Sequence, residues 1–248
     1  MNRKKSLYTV TNTKQIAVTN KDECVTVKSP STNLLIENIH CNISGGCGMG
    51  SLGINTAISK ILYKNVYTWK SNQMMMIKSN GGSGYVEDVV FENFIGHENA
   101  YGFNIDQYWA SMTALAGSGV ALSNITATNW RGVQANGAQR GPVKVVCADG
   151  KPCTDINVAD VHMWTQTGNK NVNLCRSGHG QGACLESSGD GAYKLVTQTV
   201  TSPPTGYTAP SMKEDLVSAW GTANSIPLPT LQASYYPGVL PVSKAPGQ

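Results

Sequence analysis

The sequence predicts an all-β chain: a right-handed parallel β-helix (a solenoid) followed by an extended Pro/Ser/Thr-rich C-terminal tail. Three observations predict it: a recurring apolar motif closed by Asn or Asp, a repeat of about 30 residues, and a composition poor in charge. In the motif an apolar residue is followed by two spacers, a second apolar residue, one spacer and a third apolar residue. One more spacer then leads to Asn or Asp and a final apolar residue. It reads Ile58, Ile61, Tyr63, Asn65, Val66, and again Val86, Val89, Phe91, Asn93, Phe94. It returns as Leu122, Ile125, Ala127, Asn129, Trp130 and as Cys153, Ile156, Val158, Asp160, Val161. A weaker copy, Leu34, Ile36, Asn38, Ile39, carries Ser31 at its first position. The anchors 38, 65, 93, 129 and 160 follow one another at 27, 28, 36 and 31 residues.

Alternation of period two around each anchor is a strand signal, and the segments are rich in Val, Ile, Thr and Asn rather than in helix formers. One such coil cannot bury its apolar side alone, so coils stack and share a continuous core. An Asn at a fixed place in each coil can ladder its amide with the coils above and below. A β-sandwich would show turn signals every 8–12 residues, and that rhythm is absent. From Thr199 the pattern stops. Thr201 to Gly206 and then Pro227, Pro229, Pro237 and Pro241 mark an extended segment. One helical stretch is expected at Ser211 to Gly221, with Ser211 as N-cap and Leu216, Ala219 and Trp220 on one face. The expected organisation is therefore coils over 1–198 and an extension over 199–248 lying along the solenoid.

Only 14% of the 248 residues are charged, against roughly 25% in an ordinary soluble domain, and the 26 Gly outnumber the 19 Lys plus Arg. A net charge of +4 is too mild and too scattered for a nucleic-acid partner. No apolar run approaches the ~20 residues of a bilayer-spanning helix, so no membrane partner is expected, and a monomer is. The seven cysteines form no C-x-x-C pair and no His stands at zinc-finger spacing, so neither a metal nor another cofactor is expected. Cys147 with Cys153 and Cys175 with Cys184 are local pairs that fit disulfides formed in an oxidising compartment. Two glycosylation sequons agree, at Asn42 and Asn124. Met1 to Lys5 resembles the basic start of a signal peptide, but Ser6 to Gln15 lacks the apolar stretch that should follow. An extracellular protein is expected, its true N-terminus lying upstream.

Asp22 and Glu23 are the most informative polar pair. On a regular strand adjacent carboxylates point to opposite faces, whereas at a turn or bulge both reach one cleft. Glycoside hydrolysis needs such a pair, one acid and one base that activates water; the alternative is two solvated turn charges. Their segment, Asn20 to Ser29, precedes Ser44-Gly45-Gly46-Cys47-Gly48-Met49-Gly50 and then Met76-Ile77-Lys78-Ser79-Asn80. In this order the elements resemble glycoside hydrolase family 28, whose polygalacturonases carry Gln-Asp-Asp-Cys, Gly-Gly-His-Gly and Arg-Ile-Lys. The departures (Asp-Glu, Cys47 for the His, Met76-Ile77-Lys78) are similar to the rhamnogalacturonase branch. So are Ser79 to Gly84, Glu92 to His97 and Asp106-Gln107-Tyr108-Trp109. The resemblance runs from about Val18 to the C-terminus.

The resemblance implies a parallel β-helix that cleaves the galacturonate–rhamnose linkage of a pectic polysaccharide, rhamnogalacturonan, with inversion. It implies Asp22 as general acid, Glu23 as the group that holds and deprotonates water, and Lys78 as partner of a galacturonate carboxylate. His97 is a further catalytic candidate, for binding or for tuning the acid. A third disulfide, Cys24–Cys41, is implied too, leaving Cys47 unpaired near the cleft. His40 and His162, two residues past repeat anchors, are expected on the strand surface. Trp69, Trp164 and the pair Tyr108-Trp109 suit packing better than sugar stacking. Family members carry further coils and another catalytic Asp before the Asp-Glu element, and no Asp precedes Asp22 here. The expectation is therefore a hydrolase impaired by missing N-terminal coils, with an inactive carbohydrate-binding fragment as the alternative. A pectate lyase is disfavoured because no acidic cluster suits Ca²⁺.

Overall fold

The computed structural model describes residues 13–135, 141–166, 168, 170–187 and 194–210, with residues 13–15 described by backbone alone. The helical stretch expected at 211–221 and most of the tail lie outside the described residues. Two seven-stranded sheets wind around one apolar core. The first contains β1 (Thr13–Val18), β3 (Ser31–Asn42), β5 (Thr56–Trp69), β7 (Gly84–Asn99), β9 (Ala121–Gln134), β11 (Cys153–Thr165) and β13 (Gly178–Gln181), stacked in that order. The second stacks β2 (Glu23–Val27), β4 (Gly46–Leu52), β6 (Gln73–Ser79), β8 (Tyr101–Asp106), β10 (Val143–Val146) and β12 (Asn171–Arg176). All these pairings are parallel, and each strand skips to the one two places further along the chain. That is a parallel β-helix. One antiparallel strand, β14 (Val196–Val200), closes the second sheet against β12, and it spans the boundary expected at residue 198.

The motif maps onto the long strands of the first sheet. The anchors Asn38, Asn65, Asn93, Asn129 and Asp160 all adopt left-handed backbone, φ 54° to 58°. Among ordinary residues Asn and Asp tolerate this region best, which is why they recur there. The expected ladder is present: Asn65 Nδ2 donates to Asn38 Oδ1 at 3.1 Å, Asn93 to Asn65 at 2.7 Å and Asn129 to Asn93 at 3.4 Å. A second left-handed column lies five residues earlier, at Asn33, Lys60, Asp88, Asn124 and Asp155. Each column breaks the pleat, so two successive residues face outward and the chain bends there. The double spacers of the motif are these corners.

Between the corners the apolar positions stack rung on rung. Ile36, Tyr63, Phe91, Ala127 and Val158 are in register across five strands and are buried. In the next column Phe94 lies face to face with Trp130, 4.2 Å between ring centroids, and Trp130 Nε1 donates to the Phe91 carbonyl at 3.1 Å. Each fully buried ring or branched side chain contributes roughly 1.5–3 kcal/mol, so the stack carries most of the stability.

Disulfides join Cys24 to Cys41, Cys147 to Cys153 and Cys175 to Cys184. Cys47 is free, but it faces the core and not the cleft, with its sulfur 3.8 Å from Cys41 Sγ. Burial pushes its thiol up to about 12. One sequon needs correction. Asn42 is 4% exposed and both its amide atoms are closed off from solvent, so this fold leaves no room for a glycan there. Asn124 is exposed, and its Nδ2 donates to Asp88 Oδ1 at 2.7 Å. His162 lies on the strand surface, 2.7 Å from Asp160, and His40 rests against the Tyr67 ring.

Candidate active site

The turn before β2 is built by Asn20. Its Oδ1 accepts the Asp22 N–H at 3.0 Å and its Nδ2 donates to the Glu23 carbonyl at 2.9 Å, while Lys21 takes left-handed backbone between them. Such an Asx-type turn is what Asn does locally. The turn is fastened to the next coil by Lys21 N–H on the Ile43 carbonyl and Gly45 N–H on the Asp22 carbonyl. Asp22 therefore stands before the strand and Glu23 begins it. Alternation does not separate them, and both line one cleft of about 370 Å³.

The Gly45-Gly46 step lets the backbones approach. At Gly46, φ is 82°, and an added Cβ would lie 1.8 Å from the Gln73 carbonyl oxygen. Gly45 and Gln73 both line the cleft. Lys78 enters from β6, and its ammonium is ion-paired with the Glu23 carboxylate. The Trp109 ring lies 5.8 Å from the same nitrogen, with the Trp109 backbone N–H held by the Ser79 carbonyl at 3.0 Å. Lys21, Asn72, Met76, Tyr101, Asn104 and Lys144 complete the lining. Lys144 is bonded to Asp106 at 2.6 Å.

The Asp22 carboxyl is held below the usual carboxylate range, first by a hydrogen bond with the Glu23 side chain and then by the Glu23 N–H, which donates at 2.7 Å. Lys78 and Lys28 add to this. A general acid needs the opposite direction in the complex with its substrate.

The structure brings Asp22, Glu23 and Lys78 together. It does not bring His97 to them. His97 lies on β7, in register with Trp69 and Val133, and its Nε2 is 3.1 Å from Glu98 Oε1, away from the cleft lining. Trp109 is the reverse case, since it lines the cleft instead of packing in the core; Trp69 and Trp164 are buried at 5%. Tyr108, exposed at 43%, stacks beside Arg176. Sequence reasoning also missed Asn104 and Lys144, which reach the cleft only through the register of β6, β8 and β10.

The sequence pattern of glycosyl hydrolases family 28 matches residues 7–184. The chain belongs to glycosyl hydrolases family 28. A probable rhamnogalacturonase B of Neosartorya fischeri is 60% identical to this family 28 chain over 229 residues, 92% of the chain and 44% of the relative. A probable rhamnogalacturonase A of Aspergillus niger is 58% identical over 228 residues, 92% of the chain and 51% of the relative. Rhamnogalacturonase A of Aspergillus aculeatus is 56% identical over 232 residues, 94% of the chain and 53% of the relative. The family 28 chain thus spans about half the length of the curated relatives it matches.

Proposed function

We propose that this family 28 chain carries the hydrolytic centre of a pectin-degrading glycosidase that cleaves rhamnogalacturonan internally, at the galacturonate–rhamnose linkage, with inversion. The reading rests on the convergence of Asp22, Glu23 and Lys78 on one cleft in a chain 56% to 60% identical to rhamnogalacturonases. In the step, the bond between the galacturonate anomeric carbon and the rhamnose oxygen breaks, and Asp22 gives that oxygen its proton. Water attacks the anomeric carbon from the other side and yields a proton to Glu23, the carboxylate that is ion-paired with Lys78. Lys78 also faces the incoming galacturonate carboxylate, a charge-assisted contact that an uncharged sugar would not make. Trp109 offers a flat apolar surface to a sugar face.

Asp22 can serve as acid only if substrate reverses the depression it shows in the free chain. A seated uronate does so in two ways, by covering the carboxyl from water and by adding a negative charge beside it; both raise a carboxyl pKa. An extracellular site of action and a glycan at Asn124 belong to the same proposal, in keeping with the three disulfides.

Asp22→Asn separates hydrolase from inactive binding module. A hydrolase loses about 10²–10⁴-fold in turnover while still binding rhamnogalacturonan oligosaccharides. Unchanged release of reducing ends by Asp22→Asn would overturn the assignment.

A further inference from the structure

The outer face of the second sheet has one residue out of keeping with its neighbours. Thr26, Gly48, Met76, Asn104, Lys144 and Leu174 hold equivalent positions on successive rungs. Asn104 is only 1% exposed, yet it lines the cleft, and its Oδ1 has no hydrogen-bond partner among the described residues. Neither neighbour in the row pairs with it: Met76 has no donor, and the Lys144 ammonium points to Asp106, 2.6 Å away. A buried amide oxygen left unpaired carries a desolvation penalty that an apolar side chain of equal size avoids. Packing alone would be served as well by Leu, the residue that occupies the row at position 174.

Asn104 thus brings to the cleft a polar side chain whose oxygen is unpaired and which a sugar hydroxyl would partner. We infer that Asn104 is a substrate-binding residue whose amide hydrogen-bonds a hydroxyl of a sugar ring in the cleft. That ring is not the one Lys78 holds. Asn104 stands one rung, ~4.8 Å, across the sheet and two residues, ~6.6 Å, along the strand from Lys78, an offset on the scale of a neighbouring ring. The contact selects a ring that presents a hydroxyl there, because a ring without one leaves the amide unpaired. This rests on the glycosidase reading for the identity of the ligand.

The test uses the full chain with Asn104→Leu and Asn104→Ser, and rhamnogalacturonan oligosaccharides as probe. Affinity is read by calorimetry, kcat/KM by reducing-end release, and stability by thermal melting. Asn104→Leu is expected to weaken binding and kcat/KM about tenfold while Tm stays level or rises, and Asn104→Ser, with its hydroxyl, recovers part of the affinity. Binding by Asn104→Leu within about twofold of the unsubstituted chain overturns the inference. So does a Tm lowered by several degrees with no recovery in Asn104→Ser, the mark of a structural amide. If the unsubstituted chain binds but does not turn over, the hydrolytic reading alone fails and the affinity ratio still decides on Asn104. If it binds none of the probe, both fail.

Discussion

Asp22 meets two demands that pull in opposite directions. In the free chain its carboxyl is drawn down by the Glu23 side chain and by the Glu23 N–H, and Lys78 adds to this. As the proposed general acid it has to hold a proton in the reaction. The sign is therefore specific. The profile of kcat/KM, which reports the free chain, loses activity as pH rises through a value below the ordinary carboxylate range. The profile of kcat reports the complex, in which burial and the uronate charge raise the Asp22 pKa, so its alkaline limb lies at higher pH. Steady-state kinetics across pH on a rhamnogalacturonan oligosaccharide measures both limbs. Coincident limbs would mean that substrate does not move the acid, and the proton would have to come from elsewhere. Legibility at this scale was uneven. The dipeptide Asp22-Glu23 and the lone Lys78 stood out because charge is scarce in this chain. Asn104 carries no charge and sits in no motif, and nothing in its local sequence marks it.

At the scale of the strand, the Asn column couples conformation to hydrogen bonding. Asn93 has φ of 57°, donates to Asn65 and accepts from Asn129. Asn93→Ala removes both ladder bonds and leaves a Cβ-bearing residue in left-handed backbone, a combined cost of about 1–3 kcal/mol. Asn93→Gly keeps the conformation and should cost less than Ala. Thermal melting of the pair orders them, and equal losses would show that the ladder alone matters.

A second element-scale device ties the loop after β10 to the end of β12. Arg176 Nε donates to Asp149 Oδ1 at 2.9 Å, a second Arg176 nitrogen donates to Oδ2, and Ser177 Oγ donates to Oδ1 at 2.6 Å. With Arg176 the largest cause, the Asp149 carboxyl falls from 3.8 to about 2. A depressed acid stabilises the fold above its unfolded pKa, and that contribution drains away as pH falls from 3.8 towards 2. Asp149→Asn should therefore lower Tm at neutral pH, by about 1–2 kcal/mol of stability. The difference should shrink as pH falls through about 2 and vanish below it. A deficit that persists there would point to lost packing instead of lost charge.

For the molecule as a whole, the fold was legible because a solenoid writes its coil into the sequence repeatedly. Ile58, Ile61, Tyr63 and Val66 in one coil return as Val86, Val89, Phe91 and Phe94 in the next, and both sets are buried. The second corner column was harder to read, since Lys60 stands where other coils have Asn or Asp. The cleft was legible only in part. Its lining comes from five successive rungs, and the rung that carries Asn104 is followed by the long connection from residue 107 to 120, which holds Trp109 and spoils any fixed count towards Lys144. The same register places His97 on the other sheet, although it follows a repeat anchor by only four residues. Coil geometry, not proximity in sequence, decides what meets the Asp22–Glu23 pair. We propose that this pair cleaves a galacturonate–rhamnose bond by direct attack of water. It is tested most directly by following the anomeric protons by NMR during digestion of a rhamnogalacturonan oligosaccharide. Galacturonate reducing ends that first appear with inverted configuration are predicted; retained configuration, or no cleavage, would contradict it.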